Sequence, residues 1–361
     1  MGDLRLMKGN EVIAEAAIRC GCDAYFGYPI TPQSEVMETL MARMPWEETG
    51  MVVLQAESEV AAINMMYGGA SAGRKVMTSS SSPGISLMSE GISYMAGAEL
   101  PGVVVNVQRG GPGLGTIQPS QADYFQATKG GGHGDYHLLV LAPSSVQEMN
   151  DFVDLAFQLA FKYLNPVMIL TDGVIGQMME KVELSAYKPR WTDEEVEKLN
   201  GSWAATGKKA YRERAIKTSL ELIAERQEKH NERFQAKYRK MEAEEVRYET
   251  IQCDDAEYIL VAYGVSARIS QKAVGLLRKE GYKVGLLRPI TLYPFPKSIV
   301  HQLADRVKGF LTIEMSSGQM IEDVLLSVNG KTKVDHFGRM GGVIATPGEV
   351  VEAFKTKLIG R

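Results

Sequence analysis

Residues 55–84 read QAESEVAAINMMYGGASAGRKVMTSSSSPG, and the fold is decided there. Two carboxylates, Glu57 and Glu59, open a run of small and apolar residues (Ala61, Ala62, Met65, Met66, Gly69, Ala70, Gly73) that lets a helix lie close to its neighbours. A short apolar strand, Lys75 to Thr78, follows and ends in four serines and Pro83-Gly84. Such strand-end turns are where open α/β sheets place ligands. A carboxylate entering a tightly packed helix is costly to bury unless something donates to it, so Glu59 calls for a partner. The competing reading is an N-cap or capping box, because acidic residues at a helix start are favoured by its dipole.

Upstream, a helix from Gly9 to Cys20 carries Val12, Ile13, Ala16, Ala17 and Cys20 on one stripe. After Gly21, Ala24 to Phe26 reads as a strand running into Gly27-Tyr28-Pro29-Ile30-Thr31-Pro32. The two prolines stiffen that turn, each fixing its own φ and pushing its predecessor towards extended geometry. Thr31 therefore suits either a turn or a ligand contact. Ser34 starts a helix to about Met44, and Val52 to Gln55 is the next strand.

Downstream, a helix spans about Ile85 to Ala98, and PGVVVNVQ (Pro101 to Gln108) is the β-branched run of a buried parallel strand. It delivers Arg109 and the loop GGPGLG to the same sheet edge. Gly111, Gly113 and Gly115 have the wrong spacing for a dinucleotide loop. Arg109 suits a substrate carboxylate, which a planar bidentate donor favours, or a surface salt bridge. His133, in GGGHGD, reads as an acid, a base or a turn residue. Leu138 to Ala142 is a strand, Ser145 to Tyr163 a helix, and Pro166 to Leu170 a strand ending in Thr171-Asp172-Gly173. This alternation predicts a doubly wound, mostly parallel sheet, closing a first domain over 1–185.

Residues 186–250 shift to long charged side chains with a narrow stripe (Leu220, Ile223, Ala224, Phe234, Tyr238), which predicts a long helix across a surface or a partner. A second α/β domain, 251–361, follows. It has strands at Ile259 to Tyr263, Lys283 to Leu287, Gly309 to Glu314 and Val334 to Phe337, and a proline-stiffened connection at Leu292 to Pro296. No coherent nucleophile, base and orienter can be picked from this half.

Composition limits the chemistry. Hydrophobic content of 45% and charged content of 23% are those of a soluble globular protein, and a net charge of -4 argues against a nucleic-acid binder. No apolar run reaches the ~18 residues of a membrane span, and Met1 to Asn10 lacks a signal h-region, so a cytoplasmic location is expected. Cys20, Cys22 and Cys253 form no C-x-x-C pair, and the five histidines have no metal-ligand spacing. No metal site is expected here, and any redox centre must sit on another chain.

Tyr28-Pro29-Ile30-Thr31-Pro32, Ser58-Glu59, Ser81-Ser82-Pro83-Gly84 and Arg109 resemble, in order and spacing, the 2-oxoacid:ferredoxin oxidoreductases. The match is to the subunit bearing the thiamine diphosphate-binding fold of pyrimidine type. YGVSAR, VGLLRPITLYPFP and GRMGG resemble its transketolase C-terminal-like domain. QAESEVAAINMMYG, RGGPGLG, QPSQADYFQATKGGGHGDY and LAPSSVQEM are most similar to the 2-oxoisovalerate (branched-chain) type, with the 2-oxoglutarate type related.

The resemblance implies oxidative decarboxylation of a 2-oxoacid to acyl-CoA and CO2, with reduction of ferredoxin. It implies that Glu59 meets the aminopyrimidine of thiamine diphosphate, that Pro29 and Ser82 flank that cofactor, and that Thr31 and Arg109 bind the 2-oxoacid. The family's diphosphate and magnesium motif resembles Gly-Asp-Gly with a later Asn. Here Thr171-Asp172-Gly173 lacks the first glycine, and no suitable asparagine follows. The implied partners are a diphosphate-binding subunit bringing Mg2+ and an iron-sulfur, ferredoxin-like subunit bringing 4Fe-4S clusters. A nonoxidative transketolase-type enzyme and a purely structural subunit stay open, as does 2-oxoglutarate as substrate. For the distal carboxylate of 2-oxoglutarate, Lys129 is the one candidate cation, which tilts the reading towards an apolar side chain.

Overall fold

The computed structural model describes residues 3–360. Met1 and Gly2, at the start of the segment read for a signal sequence and of the first expected domain, lie outside the described residues, as does Arg361 at the end of the second.

The main sheet has seven strands, in the order Thr291–Tyr293, Leu139–Leu141, Pro166–Asp172, Gly102–Gln108, Val76–Ser80, Ala24–Gly27 and Val52–Gln55. All pairings are parallel except that of Thr291–Tyr293 with Leu139–Leu141. Parallel neighbours need crossovers, and helices such as Glu59–Ser71, Ser82–Gly97 and Val146–Tyr163 supply them. Gly102–Gln108 and Pro166–Asp172 are buried along their whole length, as the β-branched run predicts. From Ala24–Gly27 the chain steps outward to Val52–Gln55, whereas from Val76–Ser80 it steps inward to Gly102–Gln108. The strand order thus reverses between Ala24–Gly27 and Val76–Ser80, and the crevice of a doubly wound sheet opens at such a point.

A second sheet runs Lys333–Gly338, Gly309–Glu314, Tyr258–Val261, Val284–Pro289 and Tyr248–Ile251, parallel but for the last strand. Asp3–Lys8 and Met179–Leu184 form a separate antiparallel pair.

Three details depart from the sequence reading. The strand expected at Lys75 to Thr78 runs Val76–Ser80, because Ser79 hides its hydroxyl between Tyr25 Oη and Gln33 Oε1, both at 2.7 Å. The segment expected as one long helix is two, Asp193–Asn200 and Ala224–Glu244, joined by an irregular strap. Gly207 in that strap has φ +91°, which no helix accommodates. Thr291–Tyr293, at the start of the expected connection, adds a strand to the first sheet.

The two sheets are clamped by Gln121, which is fully buried. Its Nε2 donates to the Tyr263 carbonyl at 2.9 Å, and its Oε1 accepts from Ser266 Oγ at 2.6 Å and from Met315 N at 3.0 Å. Its own N–H donates to Met315 O at 2.9 Å, and its carbonyl accepts from Tyr263 Oη at 3.1 Å. Alanine here strands the Met315 N–H and the Ser266 hydroxyl. Because each orphaned buried group costs about 1–3 kcal/mol, Gln121→Ala is expected to lose about 2–4 kcal/mol, read as a lower denaturation midpoint.

Candidate active site

Ser58 holds extended backbone (φ −161°, ψ 167°), and its Oγ accepts from Ala61 N at 3.2 Å. It is the N-cap, so Glu59 is the first helical residue and no capping box forms, the third helical position being Ala61. Glu57 is exposed, whereas Glu59 is only 6% exposed. Among the described residues no cation and no side-chain hydrogen bond compensates the Glu59 carboxylate. Gly84, in the first turn of Ser82–Gly97, is what admits it. A Cβ there would lie 2.7 Å from Glu59 Oε1, and closer still to Ser80 Oγ. Only glycine lets the second helix start against the first.

Around this point, on one face of two neighbouring strands, buried polar atoms have no partner: Thr78 Oγ1, Ser80 Oγ and Asn106 Oδ1, with Ser81 Oγ and Arg109 Nε just beyond. Native interiors satisfy the great majority of such atoms. Their concentration beside the strand-order reversal fits a polar ligand.

Arg109, 8% exposed, closes the strand Gly102–Gln108. Its Nη1 donates to the Thr31 carbonyl at 3.0 Å and its Nη2 to the Leu114 carbonyl at 3.1 Å. No carboxylate pairs with it among the described residues, so the surface salt-bridge reading does not hold. Pro29 and Thr31 lie exposed on the loop after Ala24–Gly27, which leaves the Thr31 side chain at the surface while its carbonyl holds the arginine.

Ser82 Oγ donates to Asp123 Oδ2 at 2.6 Å and accepts from Arg109 N at 3.0 Å. Its hydroxyl is therefore engaged within the chain, fixing the backbone under the guanidinium. Burial pushes the Asp123 carboxyl up, against the hydrogen bonds from Ser82 and from Asn106 Nδ2 at 2.9 Å.

The loop after Arg109 is exposed, with Gly113 (φ +69°) and Gly115 (φ +54°) in left-handed backbone. Its base packs on the second half of the chain. A Cβ on Gly110 would meet Gly341 C at 2.9 Å and Gly342 N at 3.0 Å. Asp123, Gln121 and this Gly110 contact went unrecognised in the sequence, since each sits in an aperiodic polar stretch with no spacing to mark it.

The structure sets other candidates apart. Lys129 Nζ pairs with Asp323 Oδ1 at 2.6 Å, and Asp323 also accepts from Tyr124 Oη at 2.5 Å. His133 is exposed and lines a cavity of about 370 Å³ against the helix Ala224–Glu244, sharing no residue with the crevice. Asp172 caps the helix Gly173–Gln177 by accepting from Val174 N at 2.9 Å and Ile175 N at 3.2 Å, and burial pushes its carboxyl up to about 6.

Residues 15–253 match the family model described as pyruvate flavodoxin/ferredoxin oxidoreductase, thiamine diphosphate-binding. Residues 256–350 match that of pyruvate:ferredoxin oxidoreductase core domain II. The chain is 49% identical over 352 residues to the ketoisovalerate oxidoreductase subunit VorB of Methanothermobacter thermautotrophicus, covering 97% of each. It is 35% identical to the 2-oxoglutarate synthase subunit KorA of Methanocaldococcus jannaschii, covering 97% of this chain and 99% of that one. It superposes with TM-score 0.86 and 26% identity on the 2-oxoglutarate:ferredoxin oxidoreductase of Magnetococcus marinus, over 99% of this chain and 66% of that longer one. With both family models matched in succession and relatives alike along nearly its whole length, the chain belongs to the 2-oxoacid:ferredoxin oxidoreductase family, as a subunit bearing the thiamine diphosphate-binding domain.

Proposed function

We propose that this chain supplies the aminopyrimidine half of a shared thiamine diphosphate site. There it binds a 2-oxoacid with a branched apolar side chain for oxidative decarboxylation to acyl-CoA and CO2, with ferredoxin reduced. The observation that carries this is Glu59, a buried carboxylate at a helix start with no donor from its own chain. A carboxylate screened from most of the solvent with no donor from its own chain calls for one, and the N1′ nitrogen of an aminopyrimidine would supply it. When bound, thiamine diphosphate supplies the carbanion chemistry that no side chain provides. Glu59 holds a proton at N1′, Arg109 pairs with the carboxylate that leaves as CO2, and Thr31 donates from its exposed hydroxyl to the 2-oxoacid. Pro29 and Ser82 flank the cofactor, Ser82 through its main chain because its hydroxyl serves Asp123 and Arg109.

The remaining parts fall to other chains. Asp172, the acid of the incomplete diphosphate motif, is occupied by backbone N–H groups. A diphosphate-binding subunit with Mg2+ and an iron-sulfur subunit with 4Fe-4S clusters complete the enzyme, and a cytoplasmic setting suits its use of coenzyme A and ferredoxin. The chain divides functionally as 1–185 for the pyrimidine-binding domain, 186–250 for the charged connector and 251–361 for the C-terminal-like domain. A branched substrate is supported by the 49% identity to a ketoisovalerate oxidoreductase subunit and by Lys129, which Asp323 already neutralises. 2-Oxoglutarate is the second reading, supported by the KorA relative at 35%.

Two substitutions test this in the complex reconstituted with its partner subunits. Glu59→Gln is expected to cut kcat for 2-oxoacid- and CoA-dependent ferredoxin reduction about 100-fold or more with thermal stability retained, the usual scale for losing a positioned acid-base group. Full activity in that variant would leave the chain a structural role, and 2-oxoacid consumption without ferredoxin reduction would favour a transketolase-type reaction. Arg109→Ala is expected chiefly to raise KM by about tenfold or more, the worth of a hydrogen bond to a charged group. An unchanged KM removes Arg109 from substrate binding.

A further inference from the structure

A row of buried polar side chains leads away from Glu59 along one face of the main sheet. It begins at Ser80. Ser80 Oγ and Glu59 Oε1 both crowd the point where a Cβ on Gly84 would stand, so the hydroxyl and the carboxylate are neighbours. Ser80 is paired in register with Asn106 on the adjacent parallel strand, which puts their side chains on the same face. Thr78, two residues before Ser80, shares that face. Asn106 Nδ2 then donates to Asp123 Oδ2 at 2.9 Å. Two carboxylates from separate segments stand at the two ends of the row.

The middle of the row is unsatisfied. Thr78, Ser80 and Asn106 are fully buried, yet Thr78 Oγ1, Ser80 Oγ and Asn106 Oδ1 have no partner among the described residues. The other face of the same strand behaves differently, because Ser79 bonds to Tyr25 Oη and to Gln33 Oε1, both at 2.7 Å. Polar groups left alone in an interior are costly, and a cluster of two hydroxyls and an amide oxygen offers the two to four partners that a buried water takes. A ring seated on Glu59 leaves Thr78 unused, since that residue lies about 7 Å deeper along the strand than Ser80.

We propose that Thr78, Ser80 and Asn106 hold ordered water, and that this row carries protons between Glu59 and Asp123. Asp123 is then the outlet to solvent for the proton that Glu59 holds. The inference rests on the role given to Glu59 above.

The chemistry of each member suits the task. Glu59 must take up a proton before it can hold one at N1′, and at 6% exposure it needs a route to bulk water. Hydroxyls and water both donate and accept, so each passes a proton on by receiving one and releasing another, and no charge is left behind. Asn106 orients the row: its Nδ2 holds the Asp123 carboxylate, and its Oδ1 is free to accept from water. At the far end, Asp123 Oδ2 takes the hydrogen bonds from Ser82 and Asn106, and its Oδ1 accepts from no other group among the described residues. Asp123 is half-buried and follows the exposed Ala122. Burial also pushes its carboxyl up, which favours its taking a proton in passing.

The test uses the complex reconstituted with its partner subunits and thiamine diphosphate. It reads the rate at which the C2 hydrogen of the bound cofactor exchanges for deuterium from D2O, beside the cofactor Kd and thermal stability. Ser80→Ala and Asp123→Asn are each expected to slow exchange about tenfold or more with Kd unchanged, since positioned proton-transfer groups act on that scale or above. Ser79→Ala, on the opposite face, is expected to lower the denaturation midpoint and leave exchange at the wild-type rate. Equal slowing in Ser79→Ala assigns the effect to packing and overturns the relay. A crystal structure of the complex is expected to show water bonded to Ser80 Oγ and Asn106 Oδ1, and a dry contact there overturns the relay even where a variant fails to fold. Glu59→Gln separates the two readings. Exchange slowed in Glu59→Gln but at the wild-type rate in folded Ser80→Ala and Asp123→Asn overturns the relay alone. Exchange as fast as wild type in Glu59→Gln overturns the role of Glu59, and this inference with it.

Discussion

A single buried amide sets how the two halves of this subunit meet. Gln121 bonds through side chain and backbone to Tyr263, Ser266 and Met315, all in the second half of the chain. Two residues on, Asp123 accepts from Ser82 at the start of the helix Ser82–Gly97 and from Asn106 on the first sheet. The connection from Arg109 to Asp123 is thereby tied down at both ends, and its exposed residues (111–115, 117, 118 and 122) lie between them. A buried network satisfied this fully is rigid, since breaking any one bond strands a group in low dielectric. Rigid ends with a permissive middle hold the one cation of this loop, Arg109, in place.

That cation and its opposite number, Glu59, are held in a similar way. Neither has a counter-ion within the chain among the described residues. Glu59 sits at the start of a helix, where the dipole favours a negative charge, and Arg109 donates to two carbonyls. Dipoles moderate the cost of burial without neutralising the charge, so a ligand of opposite sign still gains most of a full pairing. A salt bridge inside the subunit would have removed that gain. Lys129 makes the contrast: paired with Asp323, which Tyr124 also supports, it is built into the structure.

Much of this was legible in the sequence, and what was not has definite causes. The β-branched run ending at Gln108 and the small-residue helix after Ser58 announced a parallel sheet, since buried strands and close crossovers need those residue types. Glu59 and Arg109 could be singled out because each is a charge at the end of an apolar element. The serines of Val76–Ser80 concealed two strand residues: the Ser79 hydroxyl is satisfied by Tyr25 and Gln33, far off in sequence, and the Ser80 hydroxyl is buried without a partner. Thr291–Tyr293 was hidden by the prolines that follow it, which mark a turn more loudly than three residues mark an edge strand. Gln121 and Asp123 work only through partners distant in the chain, and no local period reports such contacts. The strap between Asn200 and Ala224 broke an expected helix because Gly207 takes left-handed backbone there and a stripe as narrow as Leu220 and Ile223 does not hold a helix by burial.

The division of labour between the two halves then follows from the kinds of contact that join them. The groups that carry charge stand on strand ends and helix starts, where packing fixes them. The glycine-rich loop meets the second half at Gly110, Gly341 and Gly342, which is contact between backbones. Such a junction is insensitive to the side chains on either flank. The charged groups on the buried sheet and the loop docked through glycine are thereby held independently of one another, so a change on the loop's exposed flank leaves the position of Arg109 to its carbonyl partners and the strand beneath it.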